Sequence, residues 1–541
     1  MNLMFYGADR QVTGSCHGIS VNGRQALVDC GLCQGGDNAY GQEFAFEPAR
    51  VDCVIVTHAH IDHSGRLPLL VKQGFAGSIY ATEATCSLLE IMLRDSARIQ
   101  EAEAGWKSRK NKRAGGEEEP PMYSMRDVED VLRRTVECKY GQVVKPFAGL
   151  EFRFTDAGHL FGSAFAEVWL TENGERKKIV FSGDIGNLNQ PIIKDPQYIK
   201  EADFVVMEST YGYKNHEPSS GGAEDLAKII GDTLSRGGNV IFPAFAVGRT
   251  QELLYLFREI KERGLAGSAS GFPVYVDSPL ASAATKIYDV DLGSATEYLD
   301  DDALSILRSG RSPLQFEGLH IIESSAQSKL LNDDRTPKVI ISSSGMCEAG
   351  RIRHHLKHNL WRRECSVVFT GFQAEGTLGR TLVDGAARRV TIYGEQISVA
   401  ARIYSFRNLS AHADKTGLLT WIGAFDPRPE HVFVVHGEAA NCLAFTGTLT
   451  DMGYSATAPA YTAVYEAIAR EYISEGREPV RASPSGARGA PDRESPAYRK
   501  LASAGRRLLD VISRNRGGTN KDLAKFTAQI DELADKWNRI D

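Results

Sequence analysis

Short apolar runs broken by Gly and Asp fill the first 200 positions: "NLMFYGA", "HGISVNG", "QALVDCG", "DCVIVTH", "GSIYAT", "LEFRFTDAG" and "AFAEVWLTENGERKKIVFSGD". Their shortness, alternation and β-branched content predict strands, and helical spacing is confined to about 82–105 and 125–136. Between about 210 and 390 the rhythm changes. "AEDLAKIIGDTLSRGG", "RTQELLYLFREIKERG", "LASAATKIYDV" and "GRIRHHLKHNL" read as helices between the apolar strands "NVIFPAF", "PVYVDSP", "KVIISSSG" and "SVVFTGF". Such alternation predicts βαβ units around a parallel sheet of Rossmann-like winding.

From about 391 strand patterns return in "RVTIYGEQISVAARIYSF" and "HVFVVHG", with the helix "KTGLLTWIGAF" between them. This is the pattern of a first domain resuming after an insertion. The last 70 residues open on "REPVRASPSGARGAPDRESP", a linker composition, and continue with two helical patterns that suggest a hairpin or interaction tail. The expected division is 1–208 and 391–470 for a strand-rich α/β domain, 209–390 for the inserted domain and 471–541 for the tail. "KSRKNKRAGGEEEPP", at 107–121, reads as a charged surface loop.

A chain of 541 residues is too long for one core, in keeping with this division. No stretch approaches the roughly 20 apolar residues of a membrane span, and the start "MNLMFYGADRQVTGSC" lacks a basic then apolar leader, so a cytoplasmic protein with no membrane partner is expected. Nine scattered cysteines argue for a reducing compartment. Cys30 and Cys33 in "DCGLC" read as small buried residues near a strand end. A net charge of −6 gives no global sign of nucleic-acid binding. The distribution differs from the sum: residues 481–530 hold eleven Lys or Arg against four Asp or Glu, enough to attract phosphates or merely to solvate a tail.

The densest chemistry is "VTHAHIDHSG", Val56 to Gly65, directly after an apolar strand. On an extended segment alternate side chains share a side, so His58 and His60 can meet one metal. Asp62 and His63 lie where the chain begins to turn helical and can reach a second. Imidazole and carboxylate suit zinc, and a carboxylate can bridge a pair. Two metals need more ligands, and strand ends supply them: His159 in "DAGHLFG", Asp184 in "FSGDIG" and His436 in "VVHGE".

H-x-H-x-D-H, a later Gly-His and then "SGD" resemble the metallo-β-lactamase superfamily, an αββα sandwich with metals at its strand-end edge. The resemblance implies one zinc held by His58, His60 and His159, a second by Asp62, His63 and His436, and Asp184 bridging, with Asp29 in "LVDCG" orienting a ligand. Two Zn2+ per chain follow from it. Such a pair lowers the pKa of a bound water from 15.7 to about 7 and serves lactams, thioesters and phosphodiesters alike.

Three further features narrow the chemistry: Glu208 in "VVMESTYG", His412 in "LSAHAD" and His436, with the insertion between the first and the others. This order resembles the β-CASP nucleases, in which a histidine in the place of His436 marks RNA-directed members. "SAHAD" is similar to the endonuclease subunit of pre-mRNA 3′-end cleavage and its bacterial and archaeal relatives. The resemblance implies a zinc-dependent endonuclease on single-stranded RNA, with Asp62 and Asp184 in its catalytic centre, His412 as general acid and Glu208 as its partner. Protonating an expelled alkoxide is worth typically ~10²–10⁴-fold.

In the insertion, Arg249, Ser343, Ser344 and Gly345 stand at carboxyl ends of expected parallel strands, where open α/β sheets bind ligands. They are candidates for gripping phosphate. His354, His355 and His358 read as solvated. Alternatives are a 5′–3′ exonuclease of ribonuclease J type, a small-molecule thioesterase or lactonase, and a non-catalytic scaffold. A homodimer or larger complex is a further expectation.

Overall fold

Phe5, Ile19, Val28 and Ile55 of one sheet meet Phe152, Phe154, Val168, Phe181, Val206 and Phe433 of another in a single apolar layer. Period-2 alternation sends one face of each strand inward, and stacking the two inner faces forms this core. The computed structural model describes residues 1–34, 42–113, 116–216, 222–291, 296–371, 373–374, 376–385, 387–406 and 410–477, and in the tail 508, 511–512, 515 and 519–537.

The first sheet runs Glu471–Ser474, Val464–Glu466, Asn2–Phe5, His17–Val21, Arg24–Val28, Val51–Ile55, Ser78–Thr82, Thr135–Cys138 in spatial order. The second runs Ala456–Thr457, His431–Val435, Phe204–Glu208, Glu175–Phe181, Ala164–Glu172, Leu150–Asp156, Val144–Phe147. Helices cover the outer faces. Leu88, Leu89 and Leu93 of helix Glu83–Arg113 belong to the same buried cluster as Val54 and Ile79. Trp421 of helix Lys415–Ile422 and Phe445 of helix Ala439–Asp451 cluster with Phe165, Val205 and Val434. This is an αββα sandwich.

The insertion carries a six-stranded sheet, Leu319–Ile321, Val274–Val276, Val339–Ser342, Val240–Pro243, Ser366–Phe369, Arg402–Ser405, with every pairing parallel. The α/β class and the inserted Rossmann-like sheet are as the patterning predicts. The strands expected to rejoin the sandwich from 391 behave differently. Arg389–Ile392 and Glu395–Ser398 form a separate hairpin, and Arg402–Ser405 is the edge strand of the inserted sheet. Helix Glu83–Arg113 also runs through 107–113, which the sequence reads as loop: the Lys and Arg residues that dominate "KSRKNKR" are good helix formers.

Residues 481–541 form a second unit, in which helix Asn520–Trp537 is described. The expected linker, and the helix expected near 497–515 except for a few positions, lie outside the described residues. No helix among the described residues is long and apolar enough to cross a membrane.

Candidate metal centre

Parallel pairing delivers the site residues to one edge. Phe181 pairs with Val206, and Glu208 with Val435, so Asp184, Glu208 and His436 leave their strands on the same side. Val28 pairs with Ile55 in the other sheet, which brings Asp29 beside the 56–65 turn. Asp29 and His436 hold left-handed backbone, φ +63° and +49°, aiming their side chains back into the edge.

Around this edge the ligand atoms of His58, His60, His159 and Asp184 lie within 4.8 Å of one another, as do those of Asp62, His63 and His436, and those of Asp184, Glu208 and His412. Asp184 divides its carboxylate between them. Oδ2 lies 3.4 Å from His58 Nε2 and 3.3 Å from His159 Nε2. Oδ1 lies 3.2 Å from His63 Nε2 and 3.5 Å from His436 Nε2. Asp62 Oδ2 stands 3.6 Å from His436 Nε2.

The hydrogen bonds at the far side of each ring decide what these nitrogens offer. Thr57 Oγ1–H donates to Asp29 and so accepts from His58 Nδ1 at 3.1 Å. His63 Nδ1 donates to Asp29 Oδ2 at 2.7 Å, His436 Nδ1 to Thr210 Oγ1 at 3.2 Å and His159 Nδ1 to the Ala411 carbonyl at 3.4 Å. With Nδ1 protonated, a neutral ring presents a bare Nε2 lone pair, the form a metal takes. In that neutral form four lone pairs face inward, and His63 Nε2 and His436 Nε2 approach to 3.1 Å. Asp184 Oδ1 is buried and has no hydrogen-bond partner. Buried polar atoms left this way are costly unless a cation completes them, so the donor set fits zinc.

The electrostatics agree. Burial works against the charge of Asp184, but His436, His63, His412 and His58 hold its carboxyl well below the usual range. Burial and neighbouring imidazoles push His58 and His159 down, and burial foremost takes His60 to about 3. For His63 and His436 burial is outweighed, chiefly by Asp184, and both rise. A proton or a divalent cation answers the same excess of negative charge there.

His412 is held differently. Its Nδ1 lies 3.1 and 3.2 Å from the two oxygens of the fully buried Glu208, and its Nε2 stands 3.9 Å from Asp184 Oδ2. Burial opposes its charge, yet Glu208 and Asp184 lift its pKa from 6.5 to about 9. Glu208 is itself fixed by the Ile185 N–H at 2.6 Å. Asp414, not His412, caps the following helix, accepting from the Gly417 N–H at 2.9 Å. His60, Asp62 and His412 keep partial exposure at the rim of the centre.

The residues expected in the insertion sit nearby but are engaged. Arg249 is buried at the start of its helix and paired with Glu252 one turn on. Ser343 Oγ donates to Ser278 Oγ, and Ser344 Oγ accepts from the Glu348 N–H. His354 and His358 are exposed, but His355 corrects the expectation of three solvated rings: it is buried with Nε2 2.6 Å from Asp277 Oδ2. Cys30 is buried as expected, Cys33 only half so, and all nine cysteines are free. Sequence reading misses Thr57, Thr210 and Ser163. Ser163 Oγ accepts from the His159 N–H at 3.0 Å. Their adjacency to "HAHIDH", "MES" and "GHLFG" is the only signal they carry.

Comparison with known proteins places this geometry. Residues 12–224 match the Metallo-beta-lactamase superfamily, 250–382 the Beta-Casp domain and 396–459 the Zn-dependent metallo-hydrolase RNA specificity domain. The chain is 36% identical to Ribonuclease TTHA0252 of Thermus thermophilus, over 82% of this chain and 95% of that one. It is 30% identical to the Transcription termination factor FttA of Methanocaldococcus jannaschii, over 83% of this chain and 69% of that one, and 30% identical to the FttA of Thermococcus kodakarensis, over 84% and 69%. The chain belongs to the β-CASP family of metallo-β-lactamase-fold, zinc-dependent hydrolases.

Proposed function

We propose that the chain is a two-zinc ribonuclease that cuts single-stranded RNA internally. The observation that carries this is the Asp184 carboxylate shared between two imidazole groups with the Glu208–His412 pair beside it. In this reading His58, His60 and His159 hold one zinc, Asp62, His63 and His436 the other, and Asp184 bridges. When bound, the metals supply an acidified water as nucleophile and Lewis acids for the phosphoryl oxygens. Asp29, Thr57 and Thr210 keep the ligand rings in the tautomer zinc requires.

His412 carries the other half of the chemistry. Breaking a P–O bond expels an alkoxide, and a protonated His412 Nε2 pointing into the centre can protonate it, with Glu208 preserving the charge at neutral pH. A thioesterase has no such need, because a thiolate leaves without help. RNA as substrate is supported by the match to an RNA specificity domain and by the ribonuclease name of a relative. The basic stretch 481–530 supplies further phosphate attraction, and cytoplasmic location and a homodimer complete the reading.

The test is cleavage of a single-stranded RNA labelled at its 5′ end. Internal fragments that appear before any mononucleotide, with 5′-phosphates on the downstream products, support the proposal. Release of label as mononucleotide from the first time point would replace the endonuclease with a 5′–3′ exonuclease, and no cleavage of RNA with zinc present would reject both.

A further inference from the structure

Phe245 presents an aromatic ring to solvent at the metal edge. It follows strand Val240–Pro243 of the inserted sheet and is 38% exposed, with its centroid 6.4 Å from the ring of His60. The backbone there is anchored: the Phe245 carbonyl accepts from Thr250 Oγ1 at 2.7 Å and from the Thr250 N–H at 3.2 Å. One glycine from a neighbouring strand end makes room for the ring: a Cβ at Gly345 would stand 3.0 Å from Phe245 Cδ2. The covered part of the residue packs against Gly345, but the part exposed beside a candidate ligand shows apolar surface to water and gains nothing from burial.

We infer that Phe245 is a substrate-binding residue, the platform on which a nucleobase bordering the scissile phosphate stacks. The inference rests on the ribonuclease reading above and names how that site holds its substrate. A phosphate poised at His60 and Asp184 puts the base of its own or the adjoining nucleotide within reach of the ring. Stacking accepts any base, because every base has a π face. It also favours single strands, since bases in a duplex are already stacked on their neighbours. Gly345 then acts as the space the ring occupies, which explains a small residue there better than phosphate contact.

The test uses full-length protein, its zinc content verified, and an RNA with one defined cleavage site, alone and with single abasic positions on either side of the cut. Phe245→Ala is expected to raise KM about tenfold with kcat much less changed, and to weaken binding of the uncut RNA by a similar factor in fluorescence anisotropy. Phe245→Trp restores both, whereas Phe245→Leu, which keeps apolar volume, does not. One abasic position should cost the wild type about tenfold and cost Phe245→Ala nothing. Equal abasic penalties in both proteins at every position, or full rescue by Phe245→Leu, would overturn the stacking role. If the wild type cuts no RNA, it is the ribonuclease reading that fails.

Discussion

Two buried carboxylates at strand ends, Asp184 in the sandwich and Asp277 in the inserted sheet, gather imidazoles in opposite ways. Asp277 is saturated: His355 Nε2 and Ser328 Oγ approach Oδ2 at 2.6 Å, and Arg351 Nη1 approaches Oδ1 at 2.6 Å. The far nitrogen of His355 meets Asn332 Oδ1 at 3.0 Å. Nothing is left over for a ligand. Around Asp184, imidazole nitrogens crowd one another at 3.1 Å and a carboxylate oxygen has no hydrogen bond. A polar cluster that satisfies itself holds the fold, and one that cannot is built to be completed from outside.

The sharpest way to break this contrast is to neutralise each carboxylate. Asp184→Asn should abolish RNA cleavage and lower bound zinc while leaving the unfolding midpoint of the metal-free protein near that of wild type. Asp277→Asn should do the reverse, keeping zinc but costing about 3–5 kcal/mol in urea unfolding, because Arg351 loses its buried partner. Equal effects of both on zinc would erase the distinction.

Next in size is His412, which the proposed assignment pairs with Glu208 rather than with a zinc. His412→Ala should lower kcat about 10²–10⁴-fold with zinc retained. As an acid it must carry its proton, which it loses as pH rises through about 9, so wild-type kcat should fall on that alkaline limb. Glu208→Gln removes a carboxylate that raises this pKa, and the limb should move to lower pH; an unmoved limb assigns it to another group. Smaller again is Asp29→Asn, which leaves His63 Nδ1 without its carboxylate and should weaken zinc about 10–100-fold in chelator competition. Least is deletion of 481–541, expected to flatten the salt dependence of RNA binding without touching kcat.

Legibility in the sequence follows the same division. The residues that converge on Asp184 are readable because ligation demands particular residue types at strand ends, and "HAHIDH" concentrates four of them. Asp277 and His355 are not, since a helical histidine 78 positions away gives no sign of which carboxylate it meets. Arg402–Ser405 reads as a strand, but an edge strand's pattern is the same whichever sheet receives it. Arg249 has the right residue type in the right place, and only tertiary structure reveals Glu252 as its partner. Phe245 looks like core until its exposure beside His60 is seen.

The most direct test of the central claim is zinc stoichiometry of the full-length protein by mass spectrometry, for wild type and His412→Ala together. Two zinc ions per chain are predicted in both, because the proposed assignment gives His412 to Glu208 as a proton donor and not to a metal. A single zinc in the wild type, or loss of zinc in His412→Ala, would contradict the account.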